Sequence, residues 1–436
     1  MMSILGPLFI AATFALNALR VEPFATYFYL FAWCGLIFSF DQLIRAREGR
    51  SLVVHCGVGG FLLLLLWSAA FWYFFELVNF RLQNWYYVFV EDDEALRSFF
   101  SMLSFATVFP GIFWIEHYLT LRGVAAGLRW KGWDFSARDL YGMQGLGVLF
   151  FALPLLWPSY FFPLVWGAVV LLVAPLNYRR GIDGVLSQLR RGECGPLLRI
   201  LLAGLIAGLL WESLNYWARA KWIYTVPFFE ELKLFEMPLL GFVGFPPFAL
   251  ECAVLYRLLV YERLAPAFGA YQGQNRVVRS WGLRALVVVL AAAAIGGIDR
   301  YEYLTMASVT PAVARVESLD EVTKAVLHRE GVQYLTDLEG WYGRDAWKAL
   351  EGELTVAQYE SLRRLSALYL HEGIGVESGN ALVRAGVHSI EALAQQTDAD
   401  LMPRLEAVAN GQRLPPAARV RVWIRRAQSG RAPSAL

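Results

Sequence analysis

Charge is scarce through the first 298 residues of this 436-residue chain and denser only after Ile298. Asp, Glu, Lys and Arg make up 17% of the whole while hydrophobic residues reach 57%, which leaves too little polar surface to solvate a globule. A soluble protein of two or three domains is thereby excluded, and a polytopic membrane protein is indicated. Cysteine is equally sparse: Cys34, Cys56, Cys194 and Cys252 have no pairing spacing, so neither a disulfide framework nor a metal motif is expected. The five histidines (His55, His117, His328, His371 and His388) do not combine into a ligand set, and no cofactor is expected. The N-terminus lacks a basic stretch ahead of its first apolar run, so that run reads as a membrane helix rather than a cleaved signal. A net charge of +2 points to no particular partner.

A bilayer crossing needs about 20 apolar residues. Such segments run at roughly 2–19, 24–44, 52–78, 97–121, 141–157, 159–177, 197–217 and 238–262, with a shorter ninth at 282–298. Pro158 between the fifth and sixth predicts a tight helical hairpin. Arg45, Arg47 and Arg50, then Arg122, Arg129, Lys131 and Arg138, then Arg179, Arg180, Arg190, Arg191 and Arg199, then Arg257, Arg263, Arg276 and Arg279 all fall in alternate loops. The loops between them carry Glu91-Asp92-Asp93-Glu94 and Glu230-Glu231. This alternation predicts a multi-pass protein of the cell inner membrane with its N-terminus and basic loops in the cytoplasm. The side occupied by residues 311–436 depends on whether the ninth segment spans.

Acids, amides and prolines interrupt the apolar background twice. Glu76, Asn79, Trp85, Tyr87, Pro110 and Glu116 recur as Glu212, Asn215, Trp222, Tyr224, Pro246-Pro247 and Glu251, at offsets of 135 to 137 residues. The chain therefore divides into two tandem four-helix units, 1–130 and 131–265, crossing in the same direction, followed by a ninth helix at 280–300. Glu and Asn three apart share a helix face. Carboxyls within the bilayer are costly and usually face a bundle interior or cavity. Glu76, Asn79, Glu116, Glu212, Asn215 and Glu251 are accordingly the candidate catalytic residues. Trp72, Trp85, Tyr87, Trp211, Trp222, Tyr224 and Glu236 are the candidate substrate-binding ones. Both proline breaks are expected to frame a polar pocket with the Glu that follows. The bland alternative stays open: Glu and Asn also serve as hydrogen-bonding glue between helices, and Trp and Tyr belong to interfacial belts.

From Pro311 the composition is that of a soluble helical domain, taken as 311–427. "Leu370-His371-Glu372-Gly373-Ile374-Gly375" followed by "Ala385-Gly386-Val387-His388-Ser389" resembles a helix-hairpin-helix domain. In that family, hairpin glycines let backbone amides approach a DNA phosphate. Here Glu372 and Glu377 flank the turn, and 15 Lys/Arg stand against 16 Asp/Glu over 311–436, which argues against nucleic acid and for a protein partner or membrane docking. A basic tail from Arg413 to Arg431 is the remaining cationic feature.

Trp211-Glu212, Trp222-Ile223-Tyr224, Pro227-Phe228-Phe229-Glu230-Glu231, Pro246 and Glu251 resemble the order of motifs in the lycopene cyclase domain of carotenoid cyclases. Glu76, Trp85-Tyr86-Tyr87, Pro110 and Glu116 repeat it more loosely. The resemblance implies redox-free cyclisation, in which Glu212 or Glu251 protonates a terminal C=C of an apolar polyene and aromatic faces steady the cation. The expectation is an all-α membrane protein whose duplicated Glu/Asn site handles an apolar lipid or isoprenoid. The alternative is a non-enzymatic scaffold that recruits a protein through its C-terminal domain.

Overall fold

A computed structural model describes residues 4–225, 232–272, 280–409, 411 and 413–430, and is all-α apart from two very short antiparallel ribbons. The Pro227–Glu231 stretch, Arg276, Arg279 and Arg431 of the sequence reading lie outside the described residues.

The first unit contains α1 (Leu5–Ala18), α2 (Phe28–Glu48), α3 (Leu52–Leu82), β1 (Trp85–Val88), α4 (Glu94–Ala106) and α5 (Val108–Leu121). The second contains α6 (Ala137–Leu156), the single turn α7 (Pro158–Phe161), α8 (Val165–Arg179), the short α9 (Val185–Arg190), α10 (Gly195–Trp217), β2 (Lys221–Tyr224), the two-residue strands β3 (Lys233–Leu234) and β4 (Met237–Pro238), and α11 (Phe245–Tyr261). Packing repeats between the units: α1 on α2 matches α6 on α8, α2 on α5 matches α8 on α11, and α3 on α5 matches α10 on α11. Across the units, α10 lies against α2 and α5. Among the described residues the second unit has no counterpart of α4; β3, β4 and a 3-10 turn over Leu239–Gly244 precede α11.

Among the described residues, seven helical segments are long and apolar enough to cross a bilayer: Leu52–Leu82, Glu94–Leu121, Ala137–Leu156, Pro158–Arg179, Gly195–Trp217, Leu239–Tyr261 and Trp281–Leu304. The first two expected spans fall short. At 14 residues, α1 reaches only about 21 Å. Polar Asp41 and Gln42 are buried within α2, where Asp41 accepts hydrogen bonds from Leu52 N at 2.9 Å and Trp114 Nε1 at 2.9 Å.

The prolines sit just after breaks within their spans, each in the first turn of the helix that follows. Pro110 lies in the first turn of α5, and Pro246-Pro247 open α11, positions where a missing N–H costs nothing. The break between α4 and α5 is satisfied by Ser68, which donates to Phe105 O at 2.8 Å and accepts from Phe109 N at 2.9 Å.

Both α3 and α10 run into strands that pair with each other, Trp85 opposite Tyr224 and Tyr87 opposite Trp222. Their C-termini therefore meet at one end of the bundle. Arg45 and Arg47 in the last turn of α2, Arg50 just after it and Arg122 after α5 lie at the other. From that far end, where Gln272 contacts His55, the chain returns along α3 as α12 (Trp281–Asp299). It arrives beside the ribbon, where Thr305–Thr310 hydrogen-bond to the β1 edge at Tyr87 and Val90.

The C-terminal helices α13 (Glu321–Arg329), α14 (Gly340–Glu351), α15 (Val356–Leu370), α16 (Gly375–Arg384), α17 (Ile390–Ala394), α18 (Asp398–Val408) and α19 (Ala417–Gln428) share one core. Tyr86, Val88, Phe89 and Ile223 of the ribbon belong to that same core. The strand alternation sorts the ribbon's two faces: Trp85, Tyr87, Trp222 and Tyr224 turn to the membrane bundle, and the residues between them to the domain.

Candidate functional site

Beneath the ribbon lies a cavity of about 200 Å³. Trp72, Trp85, Tyr87, Trp211, Trp222 and Tyr224, six of the seven candidate substrate-binding residues, are in its wall. Tyr29, Trp166, Phe245 and Phe248 are among the further aromatic residues of the lining, and the polar groups Glu91, Arg97 and Ser101 gather near the first turns of α4. Ring edges meet ring faces around it: Trp72 and Trp166 both stand edge-on to Phe248, at 5.7 and 5.6 Å, and Tyr29 edge-on to Trp222 at 4.9 Å.

The two acids reach this wall in the same manner. Glu76 Oε1 accepts from Trp72 Nε1 at 3.0 Å, Trp85 Nε1 at 3.0 Å and Tyr87 Oη at 2.5 Å. Glu212 Oε1 accepts from Trp222 Nε1 at 3.3 Å and Tyr224 Oη at 2.8 Å. The asparagines tie each strand to its helix one turn further on. Asn79 Nδ2 donates to Trp85 O at 3.0 Å and Asn215 Nδ2 to Trp222 O at 2.9 Å. Their Oδ1 atoms accept from Asn84 N and Trp222 N. All four residues are fully buried. Of the four, only Glu212 lines the cavity; Glu76, Asn79 and Asn215 act on residues that do.

The remaining candidates are not brought to this site. Glu116 lies toward the far end of the bundle, where it accepts from Tyr271 Oη at 3.0 Å, with Arg257 stacked over the Tyr271 ring at 5.0 Å. Glu251 Oε1 accepts from Val169 N on α8 at 2.9 Å. Neither lines this cavity, so the expected pairing of a proline break with its following Glu is not what frames it. Glu236 faces the C-terminal side, in a buried ion pair with Lys221 Nζ at 3.0 Å. Burial pushes the Glu236 carboxyl up, but Lys221 with Lys233 more than reverses this and holds it below its ordinary value. Among the described residues, His, Cys, Asp and Glu do not cluster as metal ligands.

The glycine hairpin of the C-terminal domain is occupied by protein. Gly373 and Gly375 both have left-handed φ, +71° and +70°, and are buried. A Cβ on Gly373 would overlap Val88, and one on Gly375 would overlap Ser308. Tyr86 Oη donates to Glu372 O at 3.0 Å, and Arg419 covers the Tyr86 ring at 4.8 Å. The turn that would approach a phosphate backbone in a nucleic-acid binder is thus seated on the ribbon. Arg20 adds a contact to Thr336 O at 3.3 Å, and Arg219 pairs with Glu22 at 2.8 Å.

Sequence reasoning missed Tyr29, Trp166 and Phe248, which carry no signal beyond hydrophobicity. It also missed the ribbon itself, formed by Trp85–Val88 and Lys221–Tyr224.

Residues 313–430 match a family described as a domain of unknown function (DUF4332), which covers the C-terminal domain and none of the membrane part. Neither a carotenoid cyclase family nor a helix-hairpin-helix family was found to match. No curated protein and no solved structure matches the chain.

Proposed function

We propose that this is an integral membrane protein that takes one apolar chain, isoprenoid or acyl, into the aromatic cavity beneath its ribbon. The observation that carries this reading is the wall itself: six Trp and Tyr rings, five of them held by two buried carboxyls, with Glu212 in the cavity wall. Aromatic faces suit an unsaturated chain, and a protonated Glu212 beside them is the group that would initiate cyclisation, as the carotenoid cyclase resemblance implies. The charge alternation supports an inner-membrane orientation with the basic end in the cytoplasm, which puts the C-terminal domain on the opposite side. Protease added to intact spheroplasts should then cleave within residues 311–436; protection of that region would reverse the orientation.

The test of the cavity is purification in mild detergent, extraction, and identification of stoichiometric lipid by mass spectrometry. Gly244 lines the cavity, and a Cβ there would make only ordinary contact with Trp166 at 3.4 Å. Gly244→Leu should therefore fill the space and lose a bound polyene, isoprenoid or acyl lipid while the protein stays folded. Only bulk phospholipid, unchanged in the variant, would sink the reading.

The docked C-terminal domain favours a second reading, a scaffold whose membrane part anchors a partner-binding module. Under it, deleting residues 311–436 destroys the phenotype in cells while Glu212→Gln leaves it intact.

A further inference from the structure

The two copies of the site differ in one respect that bears on the ligand. At the 136-residue offset, Trp72 corresponds to Gly208 and Phe75 to Trp211. In the first copy the tryptophan stands one turn before the acid and donates to it, Trp72 Nε1 to Glu76 Oε1 at 3.0 Å. In the second copy that position is a glycine, and a Cβ there would overlap the Phe245 ring. The tryptophan has moved next to the acid, and its indole N–H is not spent on the carboxyl.

Two polar atoms are left over as a result. Trp211 Nε1 and Glu212 Oε2 are buried without a hydrogen-bond partner, their residues 5% and 0% exposed, and both residues are in the cavity wall. Glu76 also leaves Oε2 unpartnered, but outside the cavity wall. Buried donors and acceptors are rarely left unmade, and an exception needs an explanation.

Resting on the proposed lipid-binding reading, we propose that this donor–acceptor pair recognises an uncharged hydroxyl at one end of the bound chain. A hydroxyl is the smallest group that accepts from an indole N–H and hydrogen-bonds a carboxyl whether that carboxyl donates or accepts. A pure hydrocarbon satisfies neither atom. A carboxylate or phosphate brings a like charge against an ionised Glu212, or a desolvated charge against a neutral one. The ligand class is therefore a long-chain or polyprenyl alcohol, with its oxygen at Trp211 and Glu212 and its chain among Trp72, Trp166 and Phe248.

The experiment is equilibrium binding to the full-length protein in nanodiscs with all-trans geranylgeraniol, the C20 terpene hydrocarbon lacking its oxygen, geranylgeranoic acid, and hexadecanol beside hexadecane. The alcohols should bind 10- to 100-fold more tightly than their hydrocarbons and more tightly than the acid. Trp211→Phe and Glu212→Gln should each reduce the alcohol preference to within about threefold. Thermal unfolding of both variants shows whether the cavity still folds. Equal binding of alcohol and hydrocarbon, or preference for the acid, would overturn the hydroxyl assignment and leave the lipid cavity standing. No saturable binding of any of the five probes would overturn both.

Discussion

The first acid site spends its carboxyl on the framework, whereas the second presents its carboxyl to a cavity. Glu76 gathers three donors from Trp72, Trp85 and Tyr87, so that helix α3 and strand β1 are locked through one oxygen. Glu212 gathers two, and a glycine replaces the third donor. The two copies carry matching hydrogen-bonding sets, and a one-turn shift of a single tryptophan separates a carboxyl with three donors from one that lines a cavity. A buried carboxyl in a membrane helix is thus read by counting its donors and asking whether it faces empty space.

The sharpest way to break this comparison is to remove the acids one at a time. Glu76→Leu strands three donors, each worth about 1–3 kcal/mol when left unmade, so a loss of about 3–9 kcal/mol is expected. Thermal unfolding in detergent should register it as a large fall in Tm or as failure to accumulate. Glu212→Leu strands the Tyr224 hydroxyl, while Trp222 Nε1 keeps Tyr224 Oη as acceptor at 2.9 Å, and should cost visibly less. Equal destabilisation would erase the distinction.

Next in size is the hairpin that seats the C-terminal domain. Gly373→Ala places a side chain on a residue at φ +71° and against Val88. Left-handed strain and overpacking together should cost about 2–4 kcal/mol of docking. Limited proteolysis would reveal it as faster release of residues 311–436; an unchanged cleavage rate would mean that the interface yields without cost.

Gly208→Ala tests the shift directly. The new methyl forces the Phe245 ring, itself a cavity residue, to move, for about 1–3 kcal/mol. Lipid occupancy should fall more than stability does. Unchanged occupancy would separate Phe245 from the ligand's path.

The smallest effect concerns pH. Glu339, outside the membrane spans, is pushed up to about 7 by burial, against the pull of Lys221, Arg20 and Arg219. A carboxyl raised from 4.5 in this way disfavours the docked form once ionised. Its penalty is absent below about pH 4.5, grows through the window to pH 7, and is complete above it. Glu339→Gln should flatten that slope and strengthen docking at pH 8 by about 1–3 kcal/mol, measured by unfolding at both ends of the window. A slope that persists in the variant would point to another group.

Helix positions and the duplication were legible because run length and spacing report them directly. The offset between Glu76 and Glu212 matches helix to helix, and the paired asparagines fall one turn on in both copies. Glu116 and Glu251 were misgrouped with them for a physical reason. A duplicated gene carries far-end residues at the same spacing as site residues, and linear offset says nothing of depth in the bilayer. The ribbon escaped notice because four-residue strands are too short for alternation to stand out. Both faces of β1 are also apolar or aromatic, one turned to the acids and one to the core of the C-terminal domain. The docking of Gly373 and Gly375 was equally hidden. A glycine turn in sequence reports the backbone it allows, not the surface that comes to fill it.

The most direct test compares ligand and stability in the same two variants. Native mass spectrometry and thermal unfolding would be run on Glu76→Gln and Glu212→Gln prepared side by side. Glu212→Gln should lose the stoichiometric lipid while its Tm changes little, and Glu76→Gln should keep the lipid in its folded fraction while its Tm drops. Loss of lipid from both to the same extent, or from Glu76→Gln alone, would contradict the division of roles between the two copies.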